Sequence, residues 1–243
     1  MSSCYVLGNR VDPLTLAGAV ARVAEFIAAG NPHHVVTLNA EIAYRAYREP
    51  DLRAVINRAH LVTADGAGIL WAARKLGTLL PERVTGIDLL QALAAEGARR
   101  GWRFYLYGAA PGVAEAAAAR LVREHPGLVV AGTSHGYLSA REIPGLIEAI
   151  KEARPHILLV GLGAPKQEYW IAGHLKELQV PVAMGVGGSF DVLAGRARRA
   201  PAWVQRLNLE WLYRVLQEPA RVKRTLALPK FMLAVLRQAC KKG

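Results

Sequence analysis

Cysteine is nearly missing from this chain: Cys4 and Cys240 are the two it has, one near each end. Two residues so placed build neither a disulfide framework nor a zinc site, and they suit a reducing compartment. No uncharged apolar run reaches the roughly 18–20 residues that a bilayer-crossing helix needs. The opening Met-Ser-Ser-Cys has neither the cationic start nor the apolar run of a secretion signal. The expectation is a cytoplasmic protein. P-loop, Asp-x-Asp and His-Glu-x-x-His patterns are all missing, and the seven histidines are scattered. His33-His34 precedes a strand and reads as structural rather than as a ligand pair. Neither a metal nor any other cofactor is expected. There is no internal repeat, and the alanine-rich 114–119 segment is simply a good helix former.

Acid is scarce in one place only. From Arg196 to Gly243 there are 12 Lys or Arg against two acids, Glu210 and Glu218, a balance of +10. Residues 1–195 hold 19 basic and 17 acidic residues, a balance of +2, so nearly all of the net +12 sits in the last fifth of the chain. Such an accumulation implies a polyanionic partner: nucleic acid, anionic lipid or a diphosphate. The whole chain, 243 residues at 52% hydrophobic, can build a substantial core. It divides by texture into a domain over 1–195 and a basic amphipathic appendage over 196–243. In the appendage Trp203, Trp211, Phe231 and Met232 interleave with cations, as on helices that lie on a membrane interface, and Pro219 and Pro229 break the run. Nucleic-acid binding has a similar composition and is the competing reading.

Short apolar runs alternate with amphipathic stretches. Strands are expected at 5–7, 34–38, 61–64, 104–107, 128–131, 157–160 and 182–184. Helices are expected over about 14–29, 40–49, 51–59, 66–76, 88–99 and 113–124, with another capped by Ser139 and Glu142. Asp12 or Thr15 caps the first helix. Regular alternation gives an α/β fold, a Rossmann-like, mostly parallel sheet with helices on both faces. Ligands of such sheets sit at the carboxyl ends of the strands. The polar or glycine-rich ends are Thr37/Asn39, Asp65, Gly108–Gly112, Gly132–Tyr137, Gly161–Gln167 and Gly185–Asp191, expected to converge on one cleft.

The richest of these is His156–Trp170, HILLVGLGAPKQEYW. A buried strand runs into Gly161-Leu162-Gly163, and Pro165 opens a helix whose first turn carries Lys166, Gln167 and Glu168. A glycine turn feeding a helix N-terminus is an anion site. It is also an ordinary strand-to-helix turn, although a passive turn needs neither a lysine nor an amide. A dinucleotide fingerprint fails in detail, because Lys166 stands where the third glycine belongs. Asp65, at the end of an apolar strand, is partly desolvated, which raises a carboxyl pKa and suits a general base. The alternative for Asp65 is the N-cap of the next helix. Arg221 and Arg224 share a helical side at i, i+3, with Arg214 upstream of Pro219, and the plain alternative there is a solvated basic face.

Taken in order, Thr37/Asn39, Thr63-Ala64-Asp65-Gly66, Arg83-Val84-Thr85-Gly86-Ile87-Asp88, Gly161-Leu-Gly-Ala-Pro-Lys-Gln-Glu168 and Gly187-Gly-Ser-Phe-Asp191 make the chain resemble the WecG/TagA/CpsF glycosyltransferases over essentially its whole length. The resemblance implies an inverting, metal-independent enzyme. Its donor would be UDP-N-acetylmannosamine and its acceptor an undecaprenyl-diphosphate-linked N-acetylglucosamine, with transfer to the 4-hydroxyl. Related enzymes use the uronic acid or glucose instead. The pathway implied is wall teichoic acid linkage or a related surface polysaccharide. Asp65 would take the acceptor proton, and Arg214, Arg221 and Arg224 would neutralise the leaving UDP. Glycine turns at Gly108, Gly161, Gly163, Gly187 and Gly188, with Lys166, would hold phosphate. Thr37, Asn39 and Gln167 suit the sugar, Tyr137 and Asp191 the uracil and ribose, and Arg83 the acceptor phosphate. The appendage would place the enzyme peripherally on the inner membrane face, against an anionic surface. A homo-oligomer is compatible with its apolar residues, and on this reading nucleic acid is not a partner. A basic nucleic-acid-binding protein and a nicotinamide-dependent sugar-nucleotide enzyme are the alternatives from other classes.

Overall fold

The structure is a computed structural model, and it describes residues 4–201, 203, 204, 213 and 227–240. The chain opens with a hairpin, β1 (Cys4–Val6) and β2 (Asn9–Val11), paired antiparallel. The sequence predicts one strand here. The second is short and turns on Leu7-Gly8, both at positive φ. Buried Asn9 ties the hairpin down, its Nδ2 donating to Val6 O at 3.1 Å and Ala43 O at 3.0 Å.

Six strands then form one wholly parallel sheet: β3 (His33–Leu38), β4 (Leu61–Ala64), β5 (Arg103–Gly108), β6 (Val129–Ser134), β7 (Ile157–Gly161) and β8 (Val182–Gly185). Their spatial order is β4-β3-β8-β7-β5-β6. The apolar runs read as buried strands are buried on both faces, as a sheet covered by helices on each side requires. Strand β6 is the exception. It lies at the sheet margin, only half-buried, and runs to Ser134 rather than stopping at 131.

Period-two alternation sorts the core. Phe104, Leu106, Ile157, Leu159, Val182 and Met184 face helices α1 (Leu16–Ala29), α5 (Gly86–Arg100), α6 (Val113–Glu124) and α9 (Ser189–Leu193). On the other face Val36, Leu38, Val62 and Ala64 meet α2 (Ala40–Arg48), α3 (Pro50–Arg58) and α4 (Ala67–Lys75). Tyr105, Tyr107, Leu158 and Val160 meet α7 (Ile143–Ala153) and α8 (Lys166–Leu178). Thr15, not Asp12, caps α1. Asp12 instead accepts from Val62 N at 2.8 Å and pairs with Arg10. Glu142 does accept from Ser139 N at 2.8 Å, yet α7 begins only at Ile143, so this pair closes a turn before the helix.

Part of the 196–243 segment is built into this core. Helix α10 (Ala227–Cys240) packs on α2 and α4 with Phe231 and Val235 fully buried, and Gln238 Oε1 accepts Leu7 N–H at 2.9 Å. Its outer side exposes Met232, Leu233 and Leu236. Among the described residues no helix is long and apolar enough to cross a membrane.

Candidate active site

The chain leaves β3 toward β4 on one side, while β8 lies on the other side of β3. That reversal is a topological switch point, where the carboxyl ends of neighbouring strands open a crevice. Pairing of β3 with β8 ends at Val35–Met184, whereas β3 stays paired with β4 up to Leu38–Ala64. Beyond the last β3–β8 pair the gap is bridged by Thr37, buried, whose Oγ1 donates to Gly185 O at 3.2 Å.

Asp65 stands at the rim of this crevice. Its backbone N–H continues the ladder to Leu38 O at 2.8 Å, and its carboxylate Oδ2 accepts from Gly86 N at 3.1 Å. The N-cap alternative therefore does not hold. Gly66, with no side chain to offer, takes the N-cap position of α4, and the Asp65 side chain reaches the start of α5, 21 residues on. A carboxylate on the first N–H groups of a helix is held by a charge-assisted hydrogen bond and by the positive end of the helix dipole. Thr85 sets that helix start. Its Oγ1 accepts from Asp88 N at 3.2 Å and donates to Asp88 Oδ2 at 2.6 Å. The preceding loop is laid along β4 by Val84 N to Ala64 O at 2.9 Å and by Thr63 Oγ1 to Val84 O at 3.2 Å. Arg83 thereby sits half-buried on the Asp65 side of the crevice. Thr37 lies close by: a Cβ on Gly86 would stand 3.2 Å from Thr37 Oγ1 and 3.7 Å from Asp65 Oδ2.

The other expected residues divide in two. Asn39 N-caps α2, its Oδ1 accepting from Ile42 N at 2.9 Å, and its NH2 group has no hydrogen-bond partner among the described residues. Lys166, at the start of α8, is exposed. Gly108, Gly161, Gly163, Gly187 and Gly188 are at or just beyond the ends of β5, β7 and β8. Here close approach dictates the residue type at Gly108, where φ is +134° and a Cβ would lie 2.5 Å from the Gly161 carbonyl carbon. Tyr137, 75% exposed, follows β6 on the far side of β5, and Asp191 is half-buried on α9. Gln167 is different: it is 2% exposed, and its amide is committed to Gly187 N and to Glu168. Arg214, Arg221 and Arg224 lie outside the described residues.

Two partnerships were not anticipated. Asp88 Oδ1 pairs with Arg199 at 2.6 Å, fastening the root of the basic segment to α5, and Gly86 supplies the N–H that holds Asp65. The signal for the second was present: Thr85 with Asp88 three residues on is a capping arrangement, and it starts α5 at Gly86 rather than at 88.

A parallel α/β sheet with a carboxylate and hydrogen-bonding side chains at its switch point, and glycine turns beside them, defines a ligand-binding enzyme of the Rossmann-like class. Comparison with known proteins narrows this. Residues 4–243 match the family described as Glycosyl transferase WecG/TagA/CpsF, and the chain belongs to that family. It is similar to the N-acetylglucosaminyldiphosphoundecaprenol N-acetyl-beta-D-mannosaminyltransferase of Bacillus spizizenii, 38% identical over 84% of this chain and 78% of that one. The protein of the same name from Staphylococcus aureus is 34% identical over 95% of this chain and 91% of its own length. Membership does not favour the nucleic-acid or nicotinamide readings.

Proposed function

We propose that this chain is an inverting, metal-independent glycosyltransferase. It moves N-acetylmannosamine from UDP-N-acetylmannosamine to the 4-hydroxyl of N-acetylglucosamine on diphospho-undecaprenol, in wall teichoic acid linkage synthesis or a related surface-polysaccharide route. The observation that carries the reading is Asp65, fixed by Gly86 N–H at the mouth of the switch-point crevice, beside Thr37. The relatives' shared name supplies the transferred sugar and the acceptor.

In the reaction the acceptor O4–H gives its proton to the Asp65 carboxylate as O4 bonds to the anomeric carbon. The bond from that carbon to the phosphate oxygen breaks, and UDP departs with the electron pair. Attack from the face opposite UDP inverts the anomeric centre. The developing charge on the diphosphate meets Lys166 and backbone N–H groups of the glycine turns, with Arg214, Arg221 and Arg224 supplied by the appendage. Thr37 and Asn39 hydrogen-bond the donor sugar, Tyr137 and Asp191 serve uracil and ribose, and Arg83 meets the acceptor diphosphate. The appendage, residues 196–243, rests on an anionic membrane surface at the inner face of the cell membrane. The exposed Met232, Leu233 and Leu236 with Lys230 and Arg237 on α10 support that role.

The test is a donor panel against a short-chain diphosphate-lipid N-acetylglucosamine, one UDP-sugar at a time, read by product mass. UDP-N-acetylmannosamine is expected to give the disaccharide-lipid and UDP in equal amounts. Product only from the uronic acid or glucose donor would reassign the substrate. No product from any donor would overturn the reading.

A further inference from the structure

Among the described residues Glu168 is the one buried acid, 1% exposed, and the chemistry above gives it no part. Its Oε1 accepts from Gln167 Nε2 at 2.8 Å, and its Oε2 has no hydrogen-bond partner among the described residues. A buried, half-satisfied carboxyl is costly, and an apolar side chain of similar size would fill the same space at less cost. The contacts show what the carboxyl does instead. Gln167 Oε1 accepts from Gly187 N at 2.9 Å, so the two neighbours of the amide demand the same orientation: carbonyl toward Gly187, NH2 toward Glu168. The amide also closely approaches the end of β8, where a Cβ on Gly185 would come within 2.5 Å of Gln167 Nε2. From the other side Gly185 O receives Thr37 Oγ1, and Thr37 stands beside Gly86 and Asp65.

We propose that Glu168 is a positioning residue that locks the Gln167 amide, and through it the Gly185–Gly187 backbone, in the conformation that shapes the donor side of the crevice. Without Glu168 the buried NH2 has no acceptor, and side-chain rotamers that leave Gly187 to find one become competitive with the inward one. The Gly185–Gly187 turn then loses its buried acceptor and loosens. Burial pushes the Glu168 carboxyl up from the usual carboxylate range, against smaller downward pulls from the Gln167 amide, its own backbone N–H and Arg45. Either protonation state still offers Oε1 to the amide, so acceptance is the property that matters, and glutamine can supply it too.

The assignment of this turn to the donor rests on the function proposed above; its anchoring by Glu168 does not. The experiment therefore reads both, following Gly187 amide exchange by NMR, UDP affinity by calorimetry, and kcat and KM in Glu168→Leu, Glu168→Gln and Gln167→Met. In Glu168→Leu, Gly187 exchange speeds up about tenfold, and the UDP Kd and the donor KM rise about tenfold, with kcat nearly unchanged. Glu168→Gln stays close to wild type. Gln167→Met behaves like Glu168→Leu, and the double variant is no worse than Gln167→Met, since both act through one contact. A folded Glu168→Leu with wild-type exchange overturns the proposal, as does full additivity in the double variant or a Glu168→Gln as impaired as the leucine. Should Glu168→Leu not fold, Gln167→Met carries the test, and an unaltered Gly187 in it is equally fatal. A wild-type protein that ignores UDP while Gly187 responds as described would bring down the donor reading alone.

Discussion

The two rims of the same parallel sheet are both polar, and the proposed site lies at the carboxyl one. At the amino rim backbone and histidine groups clasp one another, with the buried His34 Nε2 left over, without a hydrogen-bond partner among the described residues. His34 N donates to His60 Nδ1 at 3.0 Å while His60 N donates to His34 O at 2.8 Å. Arg103 N donates to His156 Nδ1 at 2.9 Å while His156 N donates to Arg103 O at 2.8 Å. The same reciprocal clasp thus joins β3 to the approach of β4 and β5 to the approach of β7. His33 stacks on Phe26 with centroids 4.0 Å apart and bonds Pro181 O through Nδ1. A groove of about 360 Å³ opens on this rim, lined by Lys151, Arg154, His156 and Gln179 among others. Two helices end there, at Arg154 and Gln179, so carbonyl ends rather than N–H ends of helices border it. At the carboxyl rim the helix starts point the other way, glycines leave backbone uncovered, and the Asn39 NH2 is without a partner among the described residues. Polarity alone does not separate the rims. What differs is which ends of the helices border each rim, carbonyl ends at the amino rim and N–H ends at the carboxyl rim.

The comparison breaks first at Asp65. If the carboxyl rim carries the chemistry, Asp65→Asn should cut turnover by about 10²–10⁴-fold, the usual worth of a general base. The amide oxygen still accepts Gly86 N–H, so the thermal midpoint and UDP affinity should stay near wild type. Single-turnover rates with calorimetry check this, and an Asp65→Asn enzyme of undiminished rate would leave the base unidentified.

How far these rims were legible in advance depends on whether a residue's partner is near in the chain. Strand runs, their parallel arrangement and the position of Asp65 at a strand end follow from local pattern, since buried parallel strands are short and wholly apolar. The partner of Asp65 does not, because Gly86 comes from a helix 21 residues later. Gln167 looked like a ligand group for its residue type, yet its amide faces Gly187, 20 residues on, and only the packing of α8 on β8 turns it inward. The β1–β2 hairpin was half seen because three-residue strands are below what alternation can resolve. His60 and His156, scattered singly, gave no sign that each would accept the N–H of a strand far away in sequence. The placement of Arg214, Arg221 and Arg224 falls outside the described residues.

Acid tests the amino rim next. Burial, with a smaller push from His60, lowers His34 to about 3. Burial also lowers His60, where His33 and Arg10 add to the effect, and His156, where Arg103 does. Each group binds its proton more readily in the unfolded chain. Their contribution is therefore intact above the ordinary histidine value of about 6.5 and is lost as pH falls below it. For His34 alone, the loss by pH 5 is about 2 kcal/mol. Glu168 acts in the opposite sense, since its raised carboxyl costs stability as pH rises above the usual carboxylate range. The two are separated by His34→Leu, which leaves Glu168 in place. Denaturant midpoints from pH 7 to 5 should fall less steeply in the variant than in wild type, and equal slopes would remove His34 from the account.

The smallest effect is the most specific to the clasp. His60 is only partly covered, its ring edge-on to Phe26 and His33, and its main value to the fold is the acceptor that Nδ1 gives to His34 N–H at 3.0 Å. His60→Leu removes that acceptor at the start of β3 and should cost about 1 kcal/mol, the lower end for a part-buried N–H left unmade. His60→Asn places a carbonyl oxygen near the former Nδ1 and should recover most of the loss, and its acceptor cannot be protonated at mild acidity. Turnover should be indifferent to both, because the clasp lies at the opposite end of β3 from Thr37. Chemical denaturation and steady-state rates on the pair decide it. Leucine and asparagine variants of equal stability would mean that the ring packs rather than accepts. A rate that fell with either would mean that the two ends of β3 are coupled.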